Sequence, residues 1–259
     1  MLKHKRDMGT NGLLRRFISQ PFIQEGPCAV SSSAPYTVDD IIQSRYSCRA
    51  FLPSPVPRST IEDILRVASR APSGTNVQPW KAWVLTGKRK EQLSDRLVAA
   101  FDDPEEASTH TEPYDYYPEK WIPPYIDRRR KVGIALYSLL GIQKGDAKRM
   151  HEQHARNYTF FDAPVGLIFT VDRLMGRGSW LDYGMFLQNL MLAAKARGLD
   201  TCAQASVNQF HRIIREQLGI PDNETVICGM SLGYAATQAP ENQLRTDRAP
   251  LEEWVHFLD

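Results

Sequence analysis

Arg45, Tyr46, Ser47 and Arg49 fall within five consecutive positions of the stretch SRYSCRAF, residues 44–51. Two guanidinium groups can fork onto the oxygens of one anion while a serine hydroxyl between them donates a further hydrogen bond. In a loop, side chains from alternate positions converge, so the stretch reads as an anion cradle. A surface patch of salt bridges is the plainer alternative. Arg245 and Arg248 form a second pair of cations in the tail LRTDRAPLEEW.

Other patterns compete for attention. Gly229-Met230-Ser231-Leu232-Gly233 matches the nucleophile elbow of serine hydrolases, and Asp247 and His256 follow in hydrolase order. An elbow needs a helix after its serine, whereas YAATQAPENQ offers no apolar helical face. Ser231 is the rival nucleophile, set against a glycine-rich strand whose backbone lies close to a neighbour. His151 and His154 are three apart instead of the four of a zincin helix and read as a solvated face. Gly176-Arg177-Gly178 lacks the third glycine of a dinucleotide fingerprint, and no P-loop motif occurs. No metal site is expected.

Composition narrows the classes. The chain has 259 residues, 42% hydrophobic and 24% charged, which is the balance of an ordinary globular protein. With 32 basic and 30 acidic residues the net charge is +2, so no nucleic-acid surface is expected and any anion site is local. Cys28, Cys48, Cys202 and Cys228 stand singly, which fits a reducing, cytoplasmic setting. No apolar run approaches the ~20 residues of a membrane span. Residues 1–36, rich in Lys and Arg at their start, read as a flexible or partner-wrapping arm, and 37–259 as a single domain.

The elements that position these residues follow from periodicity. Thr37 N-caps a short helix that delivers the chain to Arg45. STIEDILRVASRA (59–71) is an amphipathic helix with a Ser59–Glu62 capping box, stopped at Pro72-Ser73-Gly74. KAWVLTG reads as a strand, KRKEQLSDRLVAAF as a helix, and residues 102–125 as a long aperiodic loop, a candidate lid. Two further helices cover DRRRKVGIALYSLLGI and KGDAKRMHEQHARNYTFF, before the apolar strand PVGLIFTV. Residues 180–196 form a helix apolar nearly all round, buried centrally or in a dimer interface. TCAQASV is a strand or loop, Asn208 starts a helix, and TVICGMSLGYA is the last strand. Strands separated by helices without strict repetition make the class α+β.

RYSCRAF, APSGTNVQPW, GLDTCAQAS, GMSLGYA and LRTDRAPLEEW occur in this order, and from Thr37 to the end the chain resembles the FMN-dependent nitroreductase family. WIPPYIDRRRKVG and HARNYTFFDAPVGLIF are most similar to its nitrobenzoate-reductase subgroup. The resemblance implies a mostly antiparallel central sheet flanked by helices, and an intertwined homodimer with FMN at the interface. It implies that Arg45, Tyr46, Ser47 and Arg49, with Arg248 and Arg245, hold the flavin phosphate. Pro72, Ser73, Gly74 and Asn76 would reach the partner subunit's flavin, and the backbone of Ala203, Gln204 and Ala205 would face its ring. Asp182 would be a further flavin contact. Family members often carry serine where this chain has Gly74. The implied activity is ping-pong hydride transfer from NADH or NADPH through FMN to a small nitroaromatic, with quinones, enones or haloaromatics as alternative acceptors. In the candidate lid, Tyr114, Tyr116, Tyr117, Trp121 and Tyr125 would stack on a flat substrate, with ordinary packing of the loop as the alternative, and of Arg128 to Arg130 just beyond it Arg129 would meet a carboxylate.

Overall fold

Residues 37–258 are described by a computed structural model; the expected arm, 1–36, lies outside the described residues. Helix α1 (Val38–Ser44) starts as its chemistry dictates. The Thr37 hydroxyl accepts from the Asp40 amide while the Asp40 carboxylate accepts from the Thr37 amide, closing a capping box. Helix α2 (Arg58–Ala68) buries Ile61, Ile64 and Ala68 at helical spacing. Its expected Ser59–Glu62 box does not form. The helix begins at Arg58, directly after Pro57, whose φ of −58° already suits a helix entry. Glu62 turns instead to Arg58, 2.7 Å away and one turn earlier.

Four strands, β1 (Lys81–Thr86), β2 (Val165–Asp172), β3 (Asp200–Gln204) and β4 (Glu224–Gly233), pair antiparallel in the order β1-β2-β4-β3. The middle strands β2 and β4 are buried along nearly their whole length, which is why their sequences are continuous apolar runs instead of alternating ones. Alternate residues serve opposite faces. Val165, Leu167, Phe169 and Val171 pack with α2 and the long helix α7 (Arg177–Lys195). Ile168 joins the core built by α3 (Gly87–Asp102) and α8 (His211–Leu218). Glycines on these strands make room for neighbours. A Cβ at Gly233 would stand 2.6 Å from Pro164 Cδ, and one at Gly166 would stand 3.0 Å from the Phe160 ring.

The register of β2 against β4 slips once. Phe169 pairs with Cys228 but Thr170 pairs with Val226, so Ile227 is left over as a β-bulge. Its free carbonyl accepts from Asn208 Nδ2 at 2.9 Å and from the Tyr114 hydroxyl. Asn208 is therefore not the helix N-cap that its type suggests. It is fully buried in a 3-10 turn, Ser206–Phe210, and α8 begins at His211.

The loop 102–125 contains a short helix, α4 (Pro104–Ser108), capped by Asp103. Beyond it come α5 (Tyr125–Leu139) and α6 (Ala147–Ala155). Helix α6 ends earlier than its sequence pattern implies, because Phe160, Phe161 and Asp162 take left-handed backbone that sends both phenylalanines inward. Helix α7 buries Tyr183, Phe186, Leu190, Ala193 and Ala194 but leaves Leu181 72% exposed. Within one chain it is one-sided. The Ser231 hydrolase reading fails here: the side chain is fully buried mid-strand and donates to Gln204 Oε1 at 2.6 Å, and among the described residues only two short 3-10 turns, Pro240–Gln243 and Leu251–Glu253, follow β4. None of the helices among the described residues is long and apolar enough to cross a membrane.

Candidate active site

The arginine cluster is assembled from three parts of the chain. After α1, Ser47 bridges in parallel to Thr201 of β3, and the Cys48 amide donates to the Thr201 carbonyl at 3.0 Å. Asn242, only 2% exposed, ties the tail to this segment. Its Oδ1 accepts from the Arg49 amide at 2.8 Å, and its Nδ2 donates to the carbonyls of Ala50 at 2.7 Å and Ala236 at 2.9 Å. The Arg245 guanidinium then lies 4.0 Å from the Tyr46 ring centroid, a cation–π contact, with Lys195 Nζ at 5.3 Å from the same ring. Burial and the charge of Asp200 raise the Tyr46 phenol above its ordinary value, so it stays neutral.

Arg45 is half-buried, and burial, then the nearby charge of Arg248, holds its guanidinium below the usual arginine value. Arg248 is fixed by the carbonyls of Thr246 and Asp247 and by the Thr246 hydroxyl, at 2.8–3.2 Å. Among the described residues, no carboxylate comes within 4.0 Å of Arg45, Arg49, Arg245 or Arg248. Like charges held together without a counter-charge oppose folding, and an anion at this place removes that cost. Beneath them, burial pushes the Cys202 thiol up, leaving it a small neutral packing group.

The loop after α2 is held in an unusual shape. Thr75, Asn76 and Gln78 have φ of 48°, 60° and 51°, in the left-handed region that a β-branched threonine avoids. Ser73 Oγ accepts from the Gln78 amide at 3.0 Å, and the Gly74 amide donates to Asp182 Oδ2 at 3.1 Å. Asp182, 8% exposed on α7, thus spends its carboxylate on the loop. Pro72, Gly74 and Asn76 remain exposed.

A pocket of about 610 Å³ opens over the end of β3, with Ala203, Gln204 and Ala205 on one side and Tyr114, Tyr116 and Trp180 on the other. The Gln204 side chain is locked from behind, donating to the Asn157 carbonyl at 2.7 Å and accepting from Ser231. Tyr114 meets Trp180 edge-on with centroids 4.5 Å apart. Ser206 Oγ, next in line, and Thr201 Oγ1, beside the arginine cluster, are buried without a hydrogen-bond partner among the described residues. Buried orphan hydroxyls are the exception in folded proteins and invite a ligand atom. An anion cradle on one flank of β3 and a flat, aromatic-walled pocket at its end fit a planar heteroaromatic phosphate such as FMN.

The aromatic residues of the 102–125 loop divide in two. Tyr114 and Tyr116 line the pocket, whereas Tyr117 and Trp121 do not. Those two pack together at 5.2 Å, with the Arg129 guanidinium 4.7 Å over Trp121 and 5.7 Å over Tyr117. Tyr125 is the exposed first residue of α5. Sequence reasoning missed Asn242, Ser206, Arg177 and Trp180 as site residues. Asn242 belongs to no motif and acts only through tertiary contacts. Ser206 is the last residue of the GLDTCAQAS run, and that place in the run was its available signal.

Comparison with known proteins agrees with this geometry. The profile of the Nitroreductase family matches residues 42–234. A 4-nitrobenzoate reductase of Pseudomonas putida is 42% identical over 220 residues, covering 85% of this chain and 95% of that protein. A nitrobenzene nitroreductase of Ectopseudomonas oleovorans is 41% identical over 221 residues, covering 85% and 96%. Among solved structures, the FMN and NADPH-dependent nitroreductase NfnB of Sphigopyxis sp. strain HMH superposes with a TM-score of 0.82 at 36% identity, over 86% of this chain and all of that one. With three-quarters of its length matched by the profile and two such relatives aligned almost end to end, the chain belongs to the nitroreductase family.

Proposed function

We propose that this protein is an FMN-dependent oxidoreductase that takes hydride from NADPH or NADH and reduces nitroaromatic compounds, nitrobenzoates among them. The observation that carries the reading is the convergence of the 45–49 stretch with two arginines of the tail, Arg248 near Arg45 and Arg245 over Tyr46, none of the four arginines having a carboxylate partner among the described residues. FMN, when bound, supplies the two-electron exchange between nucleotide and acceptor. The chain supplies binding, orientation and exclusion of water. Arg45, Ser47, Arg49 and Arg248 hold the phosphate, and Arg245 braces the Tyr46 wall. The backbone of Ala203, Gln204 and Ala205 meets the ring. Pro72, Ser73, Gly74 and Asn76 reach the partner subunit's flavin, in a shape that Asp182 maintains.

Homodimerisation is part of this proposal. Helix α5 buries none of its residues in its own chain, and Ile134 on it is 67% exposed. The outer face of α7 and the tail residues Trp254, Phe257 and Leu258 are likewise uncovered. Apolar area of this extent favours a second copy. Residues 37–259 then act as one FMN-binding domain with 102–125 as its lid. We assign the protein to the cytoplasm on its free cysteines, Cys48, Cys202 and Cys228.

The test is an absorption spectrum of the purified, FMN-reconstituted protein before and after anaerobic NADPH or NADH. A flavin band that bleaches with the nucleotide and returns with 4-nitrobenzoate or nitrobenzene is expected. Protein that binds no FMN, or whose bound FMN neither nucleotide reduces, refutes the reading.

A further inference from the structure

Arg177, the first residue of α7, lines the same pocket of about 610 Å³ as Tyr114, Tyr116, Trp180 and the Ala203–Ala205 backbone. Unlike the other cations near the lid, it is uncommitted. Arg129 lies over Trp121 and Tyr117 and does not line the pocket. Arg128 pairs with Glu253 at 2.8 Å, and Arg130 is 4.0 Å from Asp127. Among the described residues, Arg177 makes no side-chain hydrogen bond, ion pair or aromatic stacking contact. An aromatic acceptor entering this pocket beside Tyr114 and Trp180, over the cofactor ring, would present its ring substituents to the rim. A carboxylate brought there loses water and needs a cation in return. A guanidinium meets it with two parallel hydrogen bonds.

We propose that Arg177 is the specificity-determining residue that selects carboxylate-bearing aromatic acceptors, an inference that rests on the nitroaromatic reading above. Asp115 lines the same pocket with the opposite charge and no ion pair within 4.0 Å among the described residues, so it opposes Arg177. The two residues therefore make predictions of opposite sign. This position replaces Arg129 as the anchor for the acceptor's charge.

The test compares 4-nitrobenzoate with uncharged nitrobenzene on the FMN-loaded enzyme and its variants Arg177→Gln, Arg177→Lys and Asp115→Asn, at equal flavin content. Calorimetric binding of benzoate to each oxidised protein is the readout that needs no turnover. For Arg177→Gln, the ratio of kcat/KM for 4-nitrobenzoate to that for nitrobenzene is expected to fall about 10- to 100-fold, with benzoate affinity falling in parallel. Arg177→Lys recovers part of the ratio, and Asp115→Asn raises it. A ratio that stays within about twofold of the wild type, or benzoate binding that ignores Arg177, overturns the proposal. Wild-type enzyme that reduces nitrobenzene but neither binds nor reduces 4-nitrobenzoate also overturns it, while FMN-dependent reduction of nitroaromatic compounds stands. Wild-type enzyme that reduces neither compound removes both.

Discussion

Replacing Arg45 with glutamine separates the work this side chain does for a ligand from the cost it imposes on the chain. Arg45 is half-buried and shares its surroundings with Arg248, so its charge is held at a loss in the apoprotein. A hydrogen bond involving an ionised group contributes about 1.5–3 kcal/mol, against about 0.5–1.5 for a neutral pair. Glutamine keeps one hydrogen bond to the ionised phosphate but loses the opposite charge and the second arm of the fork, a cost of about 1–2.5 kcal/mol, which is roughly a 5- to 70-fold rise in the dissociation constant for FMN. Riboflavin has the same ring without the phosphate, so its affinity is expected to shift less than about twofold. The assay is quenching of flavin fluorescence on titrating deflavinated protein, with FMN and riboflavin, at low and high salt. Urea denaturation of the same apoproteins completes the comparison, and Arg45→Gln is expected to hold or raise the midpoint because burial cost and repulsion from Arg248 both disappear. Equal weakening of FMN and riboflavin, or an apoprotein destabilised by more than about 1 kcal/mol, refutes the assignment of Arg45 to a phosphate.

Three further outcomes follow from other parts of the site. Asn242→Ala removes the acceptor of the Arg49 amide and the donor to two buried carbonyls, so a loss of about 2–4 kcal/mol in urea denaturation is expected, and a loss below about 1 kcal/mol contradicts the bracing role. Asp182→Ala frees the Gly74 amide, and hydrogen exchange at Gly74 should accelerate about tenfold or more while Asp182→Asn stays close to the wild type; equal exchange in all three proteins contradicts the tether. Burial, then the charges of Arg212, Arg215, Arg173 and His110, pushes His211 down to about 4 from its ordinary 6.5. Between those values the unfolded chain takes up a proton that the folded chain refuses, so stability is full above pH 6.5 and declines as pH falls towards 4. His211→Gln should flatten urea midpoints across that window, and an unchanged slope counts against the burial argument.

Much of this was legible without coordinates because it rests on local rules. Thr37 and Asp40 form their box from short-range chemistry alone, and α2 shows its buried face through Ile61, Ile64 and Ala68. The continuous apolar character of β2 announced a strand covered on both faces. The quoted segments of the resemblance pointed to the cradle, the 72–76 loop and the end of β3. What escaped was tertiary. Asn242 owes its role to partners 192 and 193 positions away, a separation no periodicity encodes. Asn208 has the right type for a helix cap but is drawn inward by the Ile227 carbonyl, and local propensity yields to that bond. Arg129 looked free because sequence distance does not show that Trp121 and Tyr117 lie beneath it.

The unpaired residue at position 227 also determines what can change here without cost to the framework. The phenol of Tyr114 donates to the backbone carbonyl of Ile227 and accepts from Asn208 Nδ2, so no side chain of β4 takes part in holding it. Substitutions at 115–121 therefore leave the mooring of Tyr114, one backbone oxygen and one buried amide side chain, in place. Deleting a single residue at 226–228 would do the reverse. It would restore an even ladder and remove the spare carbonyl that holds Tyr114 and Asn208, so the irregularity in the ladder is where the 102–125 loop depends on the sheet.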